Sequence, residues 1–132
     1  MKIAMIGSRH YEKPRKIRDA ITSAKRKFSN DLVIISGGAK DGADRYVKKY
    51  AIEFGVAYKE FNTAHTPRNL YSAMSEEYYN KPYHVSQFHH RNMLLAKDCD
   101  VMMAFVDGEV TNGTKSAIQA AKRLGKKVVI VT

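Results

Sequence analysis

The chain has 132 residues, enough for one domain with a single hydrophobic core. Hydrophobic residues make up 44% and charged residues 27%, as in ordinary globular proteins, and no apolar run approaches the roughly 20 residues of a membrane helix. With 23 basic against 13 acidic residues, the net charge of +10 favours an anionic partner, either nucleotide phosphates or a nucleic-acid backbone. Lysine-rich helix faces that keep the protein soluble explain the charge equally well.

The basic excess is concentrated in residues 9–27, with eight basic and two acidic side chains, and in residues 115–127, with five and none. The N-terminus enters an apolar strand instead of a signal segment, so a cytoplasmic location is expected. Cys99 is the single cysteine and cannot form an internal disulfide. Beside the apolar run VMMAFV it is predicted to be a packed thiol.

Apolar runs alternate with segments of helical spacing along the first half of the chain. KIAMIG is a predicted strand that ends at Gly7, and Pro14 suits the first turn of the helix that follows. LVIIS is a continuous apolar run of strand length, and the helix after it stops at Gly55. VAYKEF is a third, less buried strand.

The second half repeats this alternation after an insertion at about residues 62–87. The insertion has weak periodicity and a proline near each end, Pro67 and Pro82, and it predicts a short helix around residues 70–79 followed by a loop. Such insertions are lids, contact surfaces or plain surface excursions. VMMAFV and KKVVIVT are the last strands, with a helix that ends at Gly125 between them.

Five strands that alternate with helices predict a single α/β domain over residues 1–132. Because the central strands are almost continuously apolar, we expect a doubly wound, mainly parallel sheet with helices on both faces. In such sheets ligands bind outside the carboxyl ends of the strands, near the point where the strand order reverses.

Three predicted strand ends carry glycine turns, GSRH, SGGAKDGAD and DGEVTNGT. Glycine lets the backbone approach a ligand closely, and the amides at a helix start attract phosphate, so the turns predict a phosphate or ribose cradle. Taken singly, each has a structural explanation: Gly37 and Gly38 form a tight turn, Asp41 and Asp44 cap the next helix, and Thr114 caps the last one. Neither the dinucleotide fingerprint nor a P-loop is present, and no cofactor is predicted.

Histidines and tyrosines offer little further chemistry. His89 and His90 are adjacent, so on a helix they point about 100° apart and make a poor metal pair, and no metal site is predicted. His10 follows the first strand and could touch a ligand or act as an acid or base. Four tyrosines of the insertion either stack on a base or cover the core: Tyr71, Tyr78, Tyr79 and Tyr83.

Long stretches of the chain resemble a known family. SGGAKDGADRYVKKYAIEFGV and RNMLLAKDCDVMMAFVDGEVTNGTKSAIQAAKRLGKKVVIV, with IGSR near the N-terminus, are similar to the SLOG superfamily and most closely to its YspA-type branch. The resemblance covers nearly the whole chain except residues 62–87. It implies a Rossmann-like nucleotide-binding domain, and because SLOG relatives often form dimers it also implies a homodimer.

The family motifs imply ligand-binding residues near each strand end. These are Gly7, Ser8 and Arg9 at the first strand, Ser36, Gly37, Gly38 and Asp44 at the second, Arg91 and Asn92 on the helix before the fourth, and Gly113 and Thr114, which would hold phosphate, at the last helix. Arg91 is the strongest single candidate, because its position before a buried strand and the family motif both favour it.

Related branches include the LOG phosphoribohydrolases, which cleave the base from a nucleoside monophosphate. They carry a glutamate three residues beyond the motif threonine, where this chain has Ala117. N-glycoside cleavage passes through an oxocarbenium-like state that needs a nearby carboxylate. Asp44, Asp107 or Glu109 are possible substitutes, and Arg91 could hold the phosphate bidentately. The catalytic candidates are therefore Arg91, Asp44 and Glu109.

Three functions follow from the motifs and the charge. Binding or sensing of a nucleotide or nucleotide-derived molecule ranks first, because the carboxylate of the LOG enzymes is missing. An N-glycosidic hydrolase acting on such a ligand is the first alternative. Single-stranded nucleic-acid binding through the basic surface, as in the related DprA branch, is the second.

Overall fold

The computed structural model of the chain describes residues 1–64, 66–82, 84–108 and 110–132. Strands and α-helices alternate along the chain. The elements are β1 (Lys2–Gly7), α1 (Pro14–Phe28), β2 (Val33–Ser36), α2 (Gly42–Glu53), β3 (Ala57–Glu60), α3 (Ser86–Asp98), β4 (Val101–Phe105), α4 (Asn112–Arg123) and β5 (Lys127–Val131). Two short 3₁₀ turns interrupt the connections, Ser29–Asp31 between α1 and β2 and Glu76–Asn80 between β3 and α3.

The described residues form one five-stranded sheet in the order β3-β2-β1-β4-β5, and every neighbouring pair is parallel. The chain winds outward from β1 to β3, crosses back to β4 and winds outward again to β5. The order therefore reverses between β1 and β4. The predicted doubly wound α/β fold is confirmed.

Two hydrophobic layers fill the space between the sheet and its helices. α1 and α2 pack together on one face through residues such as Ile17 and Val47, and α3 and α4 on the other through residues such as Leu95. Ala4 and Met5 are adjacent residues of β1; both are fully buried, and they face opposite hydrophobic layers. Because successive side chains of a strand point to opposite faces, a central strand buried on both sides must be apolar throughout.

The first residue of α1 agrees with the sequence analysis, whereas the N-cap residue of α4 does not. α1 begins at Pro14, as predicted. α4 begins two residues before Thr114 and has Thr111 at its N-cap position, so the interpretation of Thr114 as the cap is wrong. Asp41 occupies the N-cap position of α2, but its side chain makes no capping hydrogen bond.

The prediction of a helix around residues 70–79 is also wrong. The only regular turn there is the 3₁₀ segment Glu76–Asn80, and the residues before it pair with the edge strand β3. The Glu60 amide donates to the Tyr71 carbonyl at 2.9 Å, and the Ala73 amide donates to the Glu60 carbonyl at 2.7 Å. Those hydrogen bonds satisfy backbone groups that a helix would otherwise use.

Cys99 is buried, and its Sγ lies 3.4 Å from the Ala96 carbonyl, as expected for a packed thiol. Burial raises the pKa of its thiol, which disfavours the reactive thiolate. Within the described ranges, no helix is long and apolar enough to cross a membrane.

We expect Ile34→Ala to lower the free energy of unfolding by about 2–5 kcal/mol, because the side chain is fully buried on β2 and its loss leaves a cavity. Ile130→Ala removes the same atoms from β5, where the side chain is 48% exposed, and should cost less than about 1 kcal/mol. Urea unfolding of both variants measures the difference. Equal costs would contradict the described core.

Candidate functional site

A cleft of about 620 Å³ opens at the carboxyl edge of the sheet, where the strand order reverses between β1 and β4. We call it the edge cleft. Among the residues that line it are most of those implied by the family motifs: Gly7, Arg9, Gly37, Gly38, Asp44, Arg91, Asn92, Gly113 and Thr114. Ser8 and Ser36 belong to the same turns and do not line it.

Gly7 brings the end of β1 against β4. A Cβ atom at this position would lie 2.1 Å from the Phe105 carbonyl oxygen, so no side chain fits. The Ser8 amide donates to the same carbonyl at 3.0 Å, and Ser8 Oγ accepts from the His10 amide at 3.2 Å. The buried Ser8 thus stabilises the loop through these hydrogen bonds, while Arg9 and His10 are exposed at the rim of the cleft.

The second glycine turn is closed by its own side chains. Gly38 has a φ of +72°, a conformation that glycine adopts readily. Its amide donates to Ser36 Oγ at 3.2 Å, and the Ala39 amide donates to Asp44 Oδ2 at 3.1 Å. These two amides already have acceptors within the protein. The turn therefore contributes to the shape of the cleft but does not provide these two amides as hydrogen-bond donors to a ligand.

A buried carboxylate that the sequence analysis did not identify lies beneath this turn. Glu60 is 1% exposed, and a Cβ atom on Gly38 would lie 2.5 Å from its Oε2. Its oxygens accept from Lys48 Nζ at 3.0 Å, Tyr58 Oη at 3.0 Å and Asn69 Nδ2 at 2.8 Å. Burial and the Glu60 carboxylate raise the pKa of Tyr58, which keeps the phenol a hydrogen-bond donor.

The end of β3 supplies a further part of the wall. Asn62 is completely buried; it donates from Nδ2 to the Pro67 carbonyl at 3.3 Å and accepts from the Tyr79 hydroxyl. Thr63, Thr66 and Pro67 then line the cleft. The rule that ligands bind at carboxyl strand ends applies equally to VAYKEFNT, and that was the available signal for these residues.

Arg91 connects α3 to two strand ends. Its NH1 donates to the Gly37 carbonyl at 2.7 Å and to the Phe61 carbonyl at 3.3 Å, and its Nε donates to Asn92 Oδ1 at 2.9 Å. The Asn92 amide in turn donates to the Gly113 carbonyl at 3.4 Å. Arg91 and Asn92 thus form a row of contacts that runs from the second glycine turn to the start of α4.

Asp44 is the buried ionisable group in the wall of the cleft. It is 7% exposed, and burial raises its carboxyl pKa to about 6, although the charge of Arg91 and the Ala39 amide oppose the rise. The neighbouring Glu60 adds to it. Its Oδ1 atom is buried with no hydrogen-bond partner among the described residues.

Several other candidates lie away from the edge cleft. Asp107 is exposed and pairs with Lys13 at 3.5 Å. His89 is exposed on α3, with Nδ1 3.2 Å from Ser116 Oγ, and the described part of the chain contains no group of three residues suited to a metal ion. Ala117 does line the cleft, whereas Glu109 lies outside the described residues.

The described tyrosines of the insertion also lie outside the cleft. Tyr71 packs edge-on against Tyr58, with ring centroids 5.5 Å apart, and Tyr78 packs edge-on against Tyr79 at 5.4 Å. None of the three described tyrosines of the insertion lines the cleft, and Tyr83 is outside the described residues. Among the described residues, the aromatic rings that do line it are those of Phe88 and His10.

The fold and the edge cleft define a Rossmann-like α/β protein. Residues 1–65 match the model of the YspA, cpYpsA-related SLOG family, which confirms the resemblance drawn from the sequence motifs. A search of curated proteins finds no match.

Two solved structures share the fold. DNA processing protein A from Helicobacter pylori, whose single-stranded DNA binding mode has been described, is 22% identical with a TM-score of 0.68, over 100% of this chain and 65% of that one. The molybdenum cofactor binding protein from Rippkaea orientalis is 16% identical with a TM-score of 0.71, over 98% of this chain and 74% of that one. The chain thus spans a little under two thirds of the Helicobacter chain.

Gly38→Ala should destabilise the protein by at least about 1 kcal/mol more than Gly125→Ala. The two glycines have nearly the same φ, +72° and +73°, so both substitutions carry the same backbone strain, but only at Gly38 does the new Cβ meet Glu60. Urea unfolding measures the difference. An equal loss in the two variants would contradict the close packing of the Glu60 carboxylate against Gly38.

Asp44→Asn should raise the free energy of unfolding above about pH 7 and have little effect near pH 4. The folded pKa of about 6 lies above the usual 3.8, so folding favours the protonated carboxyl, and the wild type loses stability as pH rises through that interval. We expect a gain of about 1–3 kcal/mol, since one pKa unit corresponds to about 1.4 kcal/mol. Urea unfolding from pH 4 to 8 measures it.

Asp19→Asn on α1 is the matched control, because the side chain of Asp19 is 64% exposed. Its effect should stay small across the same pH range. A pH-independent effect of Asp44→Asn would contradict the raised pKa of Asp44.

Proposed function

We propose that the edge cleft binds a nucleotide or a nucleotide-derived small molecule. The main support for this proposal is that glycine turns from separate strands, the start of α4 and the buried carboxylate of Asp44 all line one cleft of about 620 Å³. That volume is within the usual range for small-molecule sites, and the position at the strand-order reversal is where open α/β sheets bind ligands. This conclusion concerns binding; a reaction is a separate hypothesis.

The phosphate end of the ligand fits the start of α4. Gly113 and Thr114 lie in the first turn of this twelve-residue helix, and the first amides of a helix have no acceptor within it. Together with the positive end of the helix dipole, such amides attract anions. The exposed cations Arg9 and Lys40 at the rim of the cleft support the same orientation.

The rest of the cleft suits a less polar part of the ligand. Ile6, Leu95 and Ala117 contribute apolar surface, and Phe88 adds an aromatic ring. An aromatic face offers a platform on which a base can stack. A molecule with an anionic end and a flat ring matches both parts of the lining.

The structural relatives support ligand binding in general. One is described by its single-stranded DNA binding and the other as a molybdenum cofactor binding protein, and each shares with this chain only the fold. Neither description identifies a nucleotide as the ligand here. That identification rests on the lining of the edge cleft and on the family motifs.

Hydrolysis of an N-glycosidic bond is the second candidate, favoured by Asp44. A buried carboxyl with a pKa of about 6 in the wall of a cleft has the properties of a general acid or base near neutral pH. Arg91, Asp44 and Glu109 stay the catalytic hypotheses. We rank binding first, because Ala117 occupies the position of the LOG glutamate and Arg91 already donates to backbone carbonyls.

Single-stranded nucleic-acid binding ranks third. The basic helices α1 and α4 cover opposite faces of the sheet, so residues 9–27 and 115–127 do not form one continuous helical surface. A strand would have to pass over an edge of the sheet to reach both. A homodimer and a cytoplasmic location are also proposals, which rest on the family resemblance and on the sequence.

The test is binding of AMP, ADP, ADP-ribose, NAD and a single-stranded oligonucleotide by calorimetry and by thermal shift. A ligand at about 100 times its dissociation constant adds roughly 2.7 kcal/mol of stability, so a specific ligand raises the melting temperature. We expect at least one of the four nucleotides to bind and its affinity to fall by at least about tenfold in Gly113→Glu. The new carboxylate would repel phosphate across the cleft.

Gln119→Glu is the matched control, because it adds the same charge to the exposed side of α4, away from the edge cleft. A carboxylate in the first turn of a helix also favours the helix, so loss of binding in Gly113→Glu would not reflect unfolding. Absence of nucleotide binding, or equal affinity in Gly113→Glu and the wild type, would refute the proposal. Binding of the oligonucleotide alone, weakened steeply by salt, would favour the third candidate instead.

A further inference from the structure

We propose that Asp44 makes the edge cleft selective for ligands that carry a sugar hydroxyl, and so for ribonucleotides over a deoxynucleotide that lacks the contacting hydroxyl. In this arrangement a ribose hydroxyl donates to the buried Oδ1 atom of Asp44. The inference rests on the proposed nucleotide binding and adds the chemical feature that the cleft recognises.

The two oxygens of Asp44 are in different situations. Oδ2 accepts from the Ala39 amide at 3.1 Å and holds the second glycine turn. Oδ1 is buried in a side chain that is 7% exposed, and it has no hydrogen-bond partner among the described residues. Buried acceptors are nearly always satisfied, so an unsatisfied one in the wall of a cleft indicates a missing donor.

The missing donor is better supplied by a neutral group than by a cation. The positive charge of Arg91 already acts on Asp44, and a Cβ atom at Gly37 would meet both Arg91 NH1 at 2.7 Å and Asp44 Oδ2 at 2.9 Å. The nearby carboxylate of Glu60 is occupied by Lys48, Tyr58 and Asn69. The described residues also contain no group suited to a metal ion.

The position of Asp44 suits a sugar next to a phosphate. The row of contacts from Gly37 through Arg91 and Asn92 to Gly113 joins the second glycine turn to the start of α4. A phosphate at α4 and a hydroxyl over Asp44 would therefore lie on neighbouring parts of one wall. The sugar of a nucleotide carries both groups within a single ring.

Selectivity should depend on the charge of Asp44. Only the carboxylate form is a charge-assisted acceptor, and such hydrogen bonds are about twice as strong as neutral ones. The groups that act on it are Arg91 from α3 and the Ala39 amide, which favour the carboxylate, and Glu60 from β3, which disfavours it. With a pKa of about 6, the carboxylate predominates above that pH, and selectivity should rise as the pH passes through it.

The experiment compares AMP and ADP with their 2′-deoxy and 3′-deoxy forms by calorimetry at pH 5.0 and 7.5. At pH 7.5 we expect one of the two deoxy forms to bind about 10- to 100-fold more weakly than the ribonucleotide, the range expected for a hydrogen bond to a charged group. At pH 5.0 the ratio should shrink. In Asp44→Asn, which keeps the shape and removes the charge, the ratio should be smaller and the same at both pH values.

The possible results separate this inference from the proposed function. Equal affinity for all three forms of AMP and of ADP would refute the role of Asp44 and leave nucleotide binding intact. Selectivity that persists unchanged in Asp44→Asn would also refute it. Failure of every form of AMP and ADP to bind would overturn this inference, and only the additional failure of ADP-ribose and NAD to bind would overturn the proposed function. A thermal melt of each variant confirms that it is folded.

Discussion

The hydrogen bond from Arg91 to the Gly37 carbonyl is the contact on which the edge cleft depends. Arg91 lies on α3, on one face of the sheet, and Gly37 begins the turn that leads to α2 on the other face. One guanidinium therefore joins the two layers at the carboxyl edge. It also requires glycine at position 37, because a Cβ atom there would lie 2.7 Å from NH1. Its charge partly offsets the cost of burying Asp44.

Buried polar side chains likewise join the insertion to the end of β3 through hydrogen bonds. Glu60 ends β3 beneath Gly38 and accepts from Asn69, which lies in the segment that pairs with β3. Asn62 accepts from the Tyr79 hydroxyl and donates to the Pro67 carbonyl. A partly satisfied polar network in a core is costly, whereas a satisfied one specifies a single arrangement. The insertion is thus part of the wall of the cleft rather than a separate excursion.

Charge is arranged differently in the cleft and on the rest of the surface. The excess of basic residues lies largely on α1 and α4, which cover opposite faces of the sheet. In the cleft, by contrast, the rim carries the cations Arg9 and Lys40 together with the exposed Asp41, and the wall carries the Asp44 carboxylate. A uniformly basic groove would retain any polyanion, because phosphate attraction does not depend on sequence or sugar. If Asp44 accepts a ligand hydroxyl, as we propose, its carboxylate restricts that attraction to ligands that also donate a hydrogen bond.

The sequence by itself determined the alternation of strands and helices, the parallel sheet and the three glycine turns at its carboxyl edge, because periodicity and glycine positions are local signals. The resemblance to the family motifs, which is also a feature of the sequence, implies Gly37, Arg91 and Gly113 as candidate site residues. Only the tertiary structure decided that Glu60 and Asn62 are buried, that residues 71–73 pair with β3 instead of forming a helix, and that Arg91 reaches Gly37 across 54 positions. Burial and long-range hydrogen bonds depend on which elements become neighbours. The pKa of Asp44 depends on the same neighbours, since Arg91 and Glu60 reach it from separate elements of the fold.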